Sequence, residues 1–230
     1  MPDLKHTIDY LLPVIAVIAG FLFVVLLRPR KGKIFKLLLA FSGAFLLSIT
    51  VFELLPEVFE GHSGKQPGIF IMCGILLQIF LEFFSRGAEH GHIHHPPEHR
   101  SFPWMLFTSL SIHSILEGFP IHHHDTLVYG IVIHKIPIAI VLTTFFLNSS
   151  IKRWQIAVFM ILFALMTPVG TFLSTQITRT EAFHMPVNAL IIGIFLHIST
   201  VILFESSEGH KFNVTKLAVI ITGILTAYIL

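Results

Sequence analysis

Eight runs of apolar residues follow one another along a chain of 230 residues, parted only by short polar or Pro/Gly breaks. A helix that crosses the hydrocarbon core of a bilayer needs about 20 mainly apolar residues. The runs at 8–27, 34–55, 68–84, 102–121, 126–147, 154–174, 186–204 and 214–230 meet that length or come close to it. The pattern predicts an all-α, polytopic membrane protein: one transmembrane domain over residues 1–230, built as a bundle of eight transmembrane helices. Composition excludes the soluble alternative. Hydrophobic residues make up 54% of the chain and charged ones 12%, about half the roughly 25% that a water-facing surface requires. A formal net charge of +2 offers no footing for nucleic acid. The single cysteine, Cys73, rules out an internal disulfide and is expected to be a small buried apolar residue. The first run is too long for a cleaved leader and most of its flanking basic residues follow it, so it reads as the first span.

Lysine and arginine set a direction, because cytoplasmic loops collect them. Arg28, Arg30, Lys31, Lys33, Lys36, Arg86, Arg100, Lys152, Arg153, Lys211 and Lys216 fall in alternate connections or beside them, eleven on one side. The other side has three, Lys5, Lys65 and Arg179, while Lys135 lies inside a run. Both termini are therefore expected outside. A faint internal repeat accompanies this: Gly43-Ala-Phe-Leu-Leu-Ser-Ile-Thr-Val51 and Gly193-Ile-Phe-Leu-His-Ile-Ser-Thr-Val201 agree at five of nine positions. The two segments run in opposite directions through the membrane, as the halves of inverted-repeat transporters do.

Ionisable groups deep in a bilayer cost several kcal/mol unless paired or hydrated, so each calls for a reason. They are Glu53 in the second run, His113 and Glu117 in the fourth, His134 and Lys135 in the fifth, and His197 in the seventh. His113 and Glu117, four residues apart, share one helix face. Imidazole beside carboxylate suits Zn²⁺ or a related first-row ion. The short connection 122–125 makes the fourth and fifth helices antiparallel neighbours. Counted from it, His113 and His134 sit about nine and eight residues in, roughly 13 Å deep at 1.5 Å per residue. Gly118, Pro120 and Pro137 weaken the same helices, and broken backbone is tolerated in a membrane where it lines a cavity or is buried in protein. Lys135 needs a carboxylate, with Glu117 and Glu53 as candidates. The plainer alternative is a polar cluster that joins helices, although such contacts rarely call for two His, a Glu and a Lys at one depth.

These segments resemble a known family. His113-Ser-Ile-Leu-Glu-Gly118 and His134-Lys-Ile-Pro137 are similar to the paired fourth- and fifth-helix motifs of the ZIP (Zrt-/Irt-like) metal transporters, and Phe52-Glu-Leu-Leu-Pro-Glu57 is similar to that family's His-Leu-Leu-Pro-Glu. The resemblance implies a divalent metal transporter with His113, Glu117 and His134 as metal ligands. Where the family carries further ligands, this chain has Lys135 and Ile138, and at the usual His it has Glu53. One intramembrane ion is therefore expected, with Lys135 standing in for a second cation and Glu53 as a further charge partner.

The tract 89–99, with His90, His92, His94, His95 and His99, reads as cytoplasmic metal capture or as a hydrated linker. His122, His123, His124 and Asp125 read either as an entrance that collects ions or as a turn with Asp125 capping the next helix. His62 and His184 are expected to be incidental, and His197 to pack between helices. The expected substrate is Zn²⁺, with Fe²⁺, Mn²⁺ or Cd²⁺ as relatives, moved towards the cytoplasm through a multi-pass protein of the plasma (inner) membrane, for which a homodimer is allowed. Two other readings stand beside it. One is a membrane-embedded zinc hydrolase using His113, His134 and His197 with Ser114 or Glu53, although no His-Glu-x-x-His motif occurs. The other is a metal sensor without flux. No Gly-rich phosphate loop is present, so a primary pump is not expected.

Overall fold

A computed structural model describes residues 4–29, 32–60, 64–85, 102–122, 126–177, 181–205 and 214–230. Among them every regular element is a helix: α1 (Leu4–Leu27), α2 (Lys33–Phe59), α3 (Gln66–Ser85), α4 (Trp104–Gly118), α5 (Leu127–Leu147), α6 (Arg153–Ile177), α7 (Glu181–Glu205) and α8 (Val214–Ile229). Six of these eight are long and apolar enough to cross a membrane. α4 is the shortest because Gly118 and Pro120 end it, and a 3-10 turn, Phe119–His122, takes over. Pro137 does not break α5, which runs 21 residues straight through it. α2 outlasts its expected end and changes pitch inside, with a π-turn at Thr50–Leu54. Pro56 supplies the reason: its ring crowds the carbonyl four residues back and it has no N–H to donate. The wider turn relieves that crowding, and Leu55 N–H donates to Thr50 O instead.

The chain divides into two compact units. The first comprises Met1–Lys31 and Leu81–Ser174, and the second Gly32–Phe80 and Thr175–Leu230. In lipid no hydrophobic force drives helices together, so close approach of small residues carries much of the packing. Within the first unit α1 lies on α5, where a Cβ on Gly20 would come 2.8 Å from Ala139 Cβ. Aromatic rings fill its core: Phe159 meets Phe146 at 4.7 Å and Phe107 at 5.3 Å, both edge-on. The second unit holds α3 against α7 through a reciprocal glycine crossing. A Cβ on Gly74 would fall 1.9 Å from Leu190 O, and one on Gly193 2.0 Å from Ile71 O. There, too, Lys216 Nζ donates to Leu203 O at 2.6 Å, a cation on the carbonyl end of α7 where the helix dipole favours it.

One expectation is corrected. Cys73 is exposed rather than buried. A small apolar side chain is equally at home against lipid and against protein, so its chemistry did not select a face.

Candidate metal site

α4 presents two adjacent rows of residues four apart. His113 and Glu117 form one row, Ser114 and Gly118 the other, and all four are buried. The first row meets His134 and Lys135 of α5. Glu117 Oε1 lies 3.4 Å from His113 Nε2 and 3.7 Å from His134 Nε2, and the two imidazole rings stand at 77° with centroids 6.4 Å apart. One ligand atom from each of the three lies within 4.8 Å of the others, and among the described residues no other His, Cys, Asp or Glu group of this kind occurs.

The spacing can be tested against coordination chemistry. Ligand atoms about 2.0–2.1 Å from a tetrahedral zinc stand about 3.3 Å from one another. The two imidazole–carboxylate separations are near that value, and Glu117 Oε1 is buried without a hydrogen bond. Two neutral nitrogens and one carboxylate oxygen suit a borderline-soft divalent ion such as zinc.

The other carboxylate oxygen is engaged. Lys135 Nζ donates to Glu117 Oε2 at 2.6 Å and to Ser114 Oγ at 2.8 Å, and it sits 4.9 Å from the centre of the Phe163 ring. A buried ammonium needs such surroundings, since desolvation without compensation costs several kcal/mol. The carboxylate partner of Lys135 is thus Glu117, from the same unit. The other candidate, Glu53, lies on the π-turn of α2 in the second unit.

The second row of α4 faces α6, which carries none of the residues expected from the sequence. Ser114 Oγ shares a hydrogen bond of 2.9 Å with Thr167 Oγ1, and Thr171 Oγ1 donates to Gly118 O at 3.0 Å. The backbones meet here: a Cβ on Gly170 would fall 1.9 Å from Ile115 O, and one on Gly118 2.2 Å from Thr167 O. A signal for this existed in the sequence. Thr167, Gly170, Thr171 and Ser174 recur at helical spacing in the sixth run, a small and hydroxylated stripe that only a helix partner explains.

The remaining sequence-derived candidates fall elsewhere. His197 lies on α7 in the second unit, partly buried. His122 ends the 3-10 turn, and Thr126 occupies the N-cap of α5 without a side-chain cap. His123, His124 and Asp125 lie outside the described residues, as do His90, His92, His94, His95 and His99 of the histidine-rich tract.

Comparison with known proteins adds a second line of observation. A family model described as ZIP Zinc transporter matches residues 85–230, a stretch that contains His113, Glu117, His134 and Lys135. "Zinc transporter ZIP1" of Danio rerio is 26% identical over 216 residues, covering 69% of this chain and 72% of that protein. "Zinc transporter ZIP1" of Takifugu rubripes is 31% identical over 121 residues, covering 50% of this chain and 39% of that one.

Proposed function

The chain belongs to the ZIP zinc transporter family, and on that premise we propose that it carries zinc towards the cytoplasm through the His113–Glu117–His134 site. Membership makes it an integral, multi-pass membrane protein that moves a divalent metal and is not an enzyme. The hydrolase reading is therefore set aside. One observation carries the proposal about the site: a buried carboxylate oxygen without a hydrogen bond faces two imidazole nitrogens at 3.4 and 3.7 Å.

Zinc enters from the side opposite the basic loops, exchanges water for the two imidazoles and Glu117 Oε1, and takes a solvent oxygen as fourth ligand. Rearrangement of one helix group against another opens the far side, where the histidines of 89–99 receive the ion. His122, His123, His124 and Asp125 gather it at the entrance. All three proposed ligands belong to one unit, so such a rearrangement leaves the coordination intact. Transport requires binding strong enough to strip water and weak enough to release. Lys135 serves the second requirement, because its charge makes the site's protein groups neutral in sum. The plasma membrane is the proposed location.

Zinc influx into proteoliposomes holding a metal-sensitive dye is expected to saturate with the native chain and to fall to the empty-vesicle level with His113→Ala. A native chain that binds one ion without influx would instead make the protein a sensor. Lys135→Glu is expected to raise bound zinc by one ion per chain over the native protein by equilibrium dialysis, because a second carboxylate replaces the resident cation. An unchanged stoichiometry would remove Lys135 as the reason for a single intramembrane ion.

A further inference from the structure

A cavity of about 500 Å³ opens in the first unit between the last turns of α1, the end of α5 and the start of α6. It lies at the end of these helices that carries the basic connections. Phe21, Val24, Val25 and Ile156 give it apolar walls, and two exposed cations, Arg28 and Arg153, line it as well. Among the described residues neither guanidinium has a carboxylate within ion-pair distance.

Arg28 is held there at a cost. Its φ is +44°, the one positive φ of a non-glycine among the described residues. Its N–H donates to Val24 O at 2.9 Å, which closes α1 in the left-handed termination that glycine normally supplies. Pro29 follows and restricts the residue before it further. Glycine would end the helix without strain but would leave no guanidinium beside the cavity. Strained backbone of this kind persists where the surroundings use it.

We propose that this cavity is a binding site for an anionic phospholipid of the leaflet facing the basic loops. Arg28 and Arg153 hold the phosphate and the apolar walls hold the first part of an acyl chain. Guanidinium groups match phosphate oxygens bidentately, and basic pockets among membrane helices on the cytoplasmic side are suited to anionic headgroups. The volume lies within the roughly 300–1,000 Å³ typical of small-molecule sites. The apolar walls favour a lipid over free phosphate, which would leave them unfilled. The site stands apart from the metal pathway and does not depend on it.

The test is native mass spectrometry of the full chain released from vesicles of equal phosphatidylglycerol and phosphatidylcholine. The native chain and a Lys152→Gln control are expected to retain one phosphatidylglycerol. Arg28→Gln with Arg153→Gln is expected to weaken retention about thirty-fold, the factor two basic side chains contribute near an anionic surface. Equal retention of both lipids, or an equal loss in Lys152→Gln, would show diffuse attraction and overturn the site. Displacement by soluble glycerol phosphate as potent as that by the lipid would assign the cavity to free phosphate and overturn it too. Should the double variant not fold, Val25→Trp narrows the apolar wall with both arginines in place. It is expected to lose the lipid, and unchanged retention would overturn the proposal.

Discussion

Lys135→Met is expected to lower the melting temperature of the purified protein sharply in chelator, and much less in saturating zinc. In the native chain the buried Glu117 carboxylate has its counter-charge 2.6 Å away. Removing one partner of a buried ion pair leaves an uncompensated charge and costs about 3–5 kcal/mol. Methionine keeps the length and the apolar bulk of the stem, so the change is mainly electrostatic. Zinc bound by Glu117, His113 and His134 can then supply the missing positive charge. The variant should also bind it more tightly, because a unit charge about 5 Å from a doubly charged ion contributes roughly 7 kcal/mol of repulsion at an effective dielectric of 20. At about a hundred times its dissociation constant a ligand returns about 2.7 kcal/mol, which recovers much of the loss. Adding Glu117→Gln to Lys135→Met should restore stability in chelator while abolishing the response to zinc, since removing both charges leaves neither uncompensated. Equal melting of Lys135→Met and the native chain in chelator would mean that the pair contributes no net stability.

That cluster was legible in the sequence because ionisable residues are conspicuous against an apolar background, and a four-residue spacing fixes them to one face. The short connection before α5 then brought His134 level with His113. Gly118 and Pro120 also marked the end of α4, where the 3-10 turn begins. What stayed hidden has a common cause. Lipid and protein interior are both apolar, so hydropathy reports that a helix lies in the membrane and says little about which face packs. The apolar stretches of α1 and α5 look alike, yet 28% of one and 67% of the other is buried. Cys73 was misplaced for that reason. The contribution of α6 was missed because threonine and glycine draw no attention as ligands, although they determine how near α4 can approach. The π-turn around Glu53 was hidden because Pro56 announces a disturbance without its form.

Gly170→Ala is expected to reduce zinc influx at least as much as the loss of a ligand, although residue 170 touches no ligand atom. Its Cβ would be placed 1.9 Å from Ile115 O and 2.7 Å from Ile115 C, both backbone atoms that cannot rotate away. Ordinary contact between non-bonded heavy atoms is about 3.5–4.0 Å, so α6 and α4 must separate by more than 1 Å. The bonds from Ser114 to Thr167 at 2.9 Å and from Thr171 to Gly118 O at 3.0 Å then exceed hydrogen-bond reach. Ser114 is one of the two acceptors of Lys135. Its displacement shifts the ammonium and, through it, the carboxylate that faces both imidazoles. Gly68→Ala is the control, since a Cβ there meets nothing within 4 Å. Influx and melting temperature measured on both variants separate two consequences. A fall in both for Gly170→Ala alone would mean that the crossing supports the fold as well as the site. Lost influx with native melting would confine its role to positioning Ser114, Lys135 and Glu117. Native influx would show that α4 and α6 can part without disturbing the ligands, and would remove α6 from the account of the site.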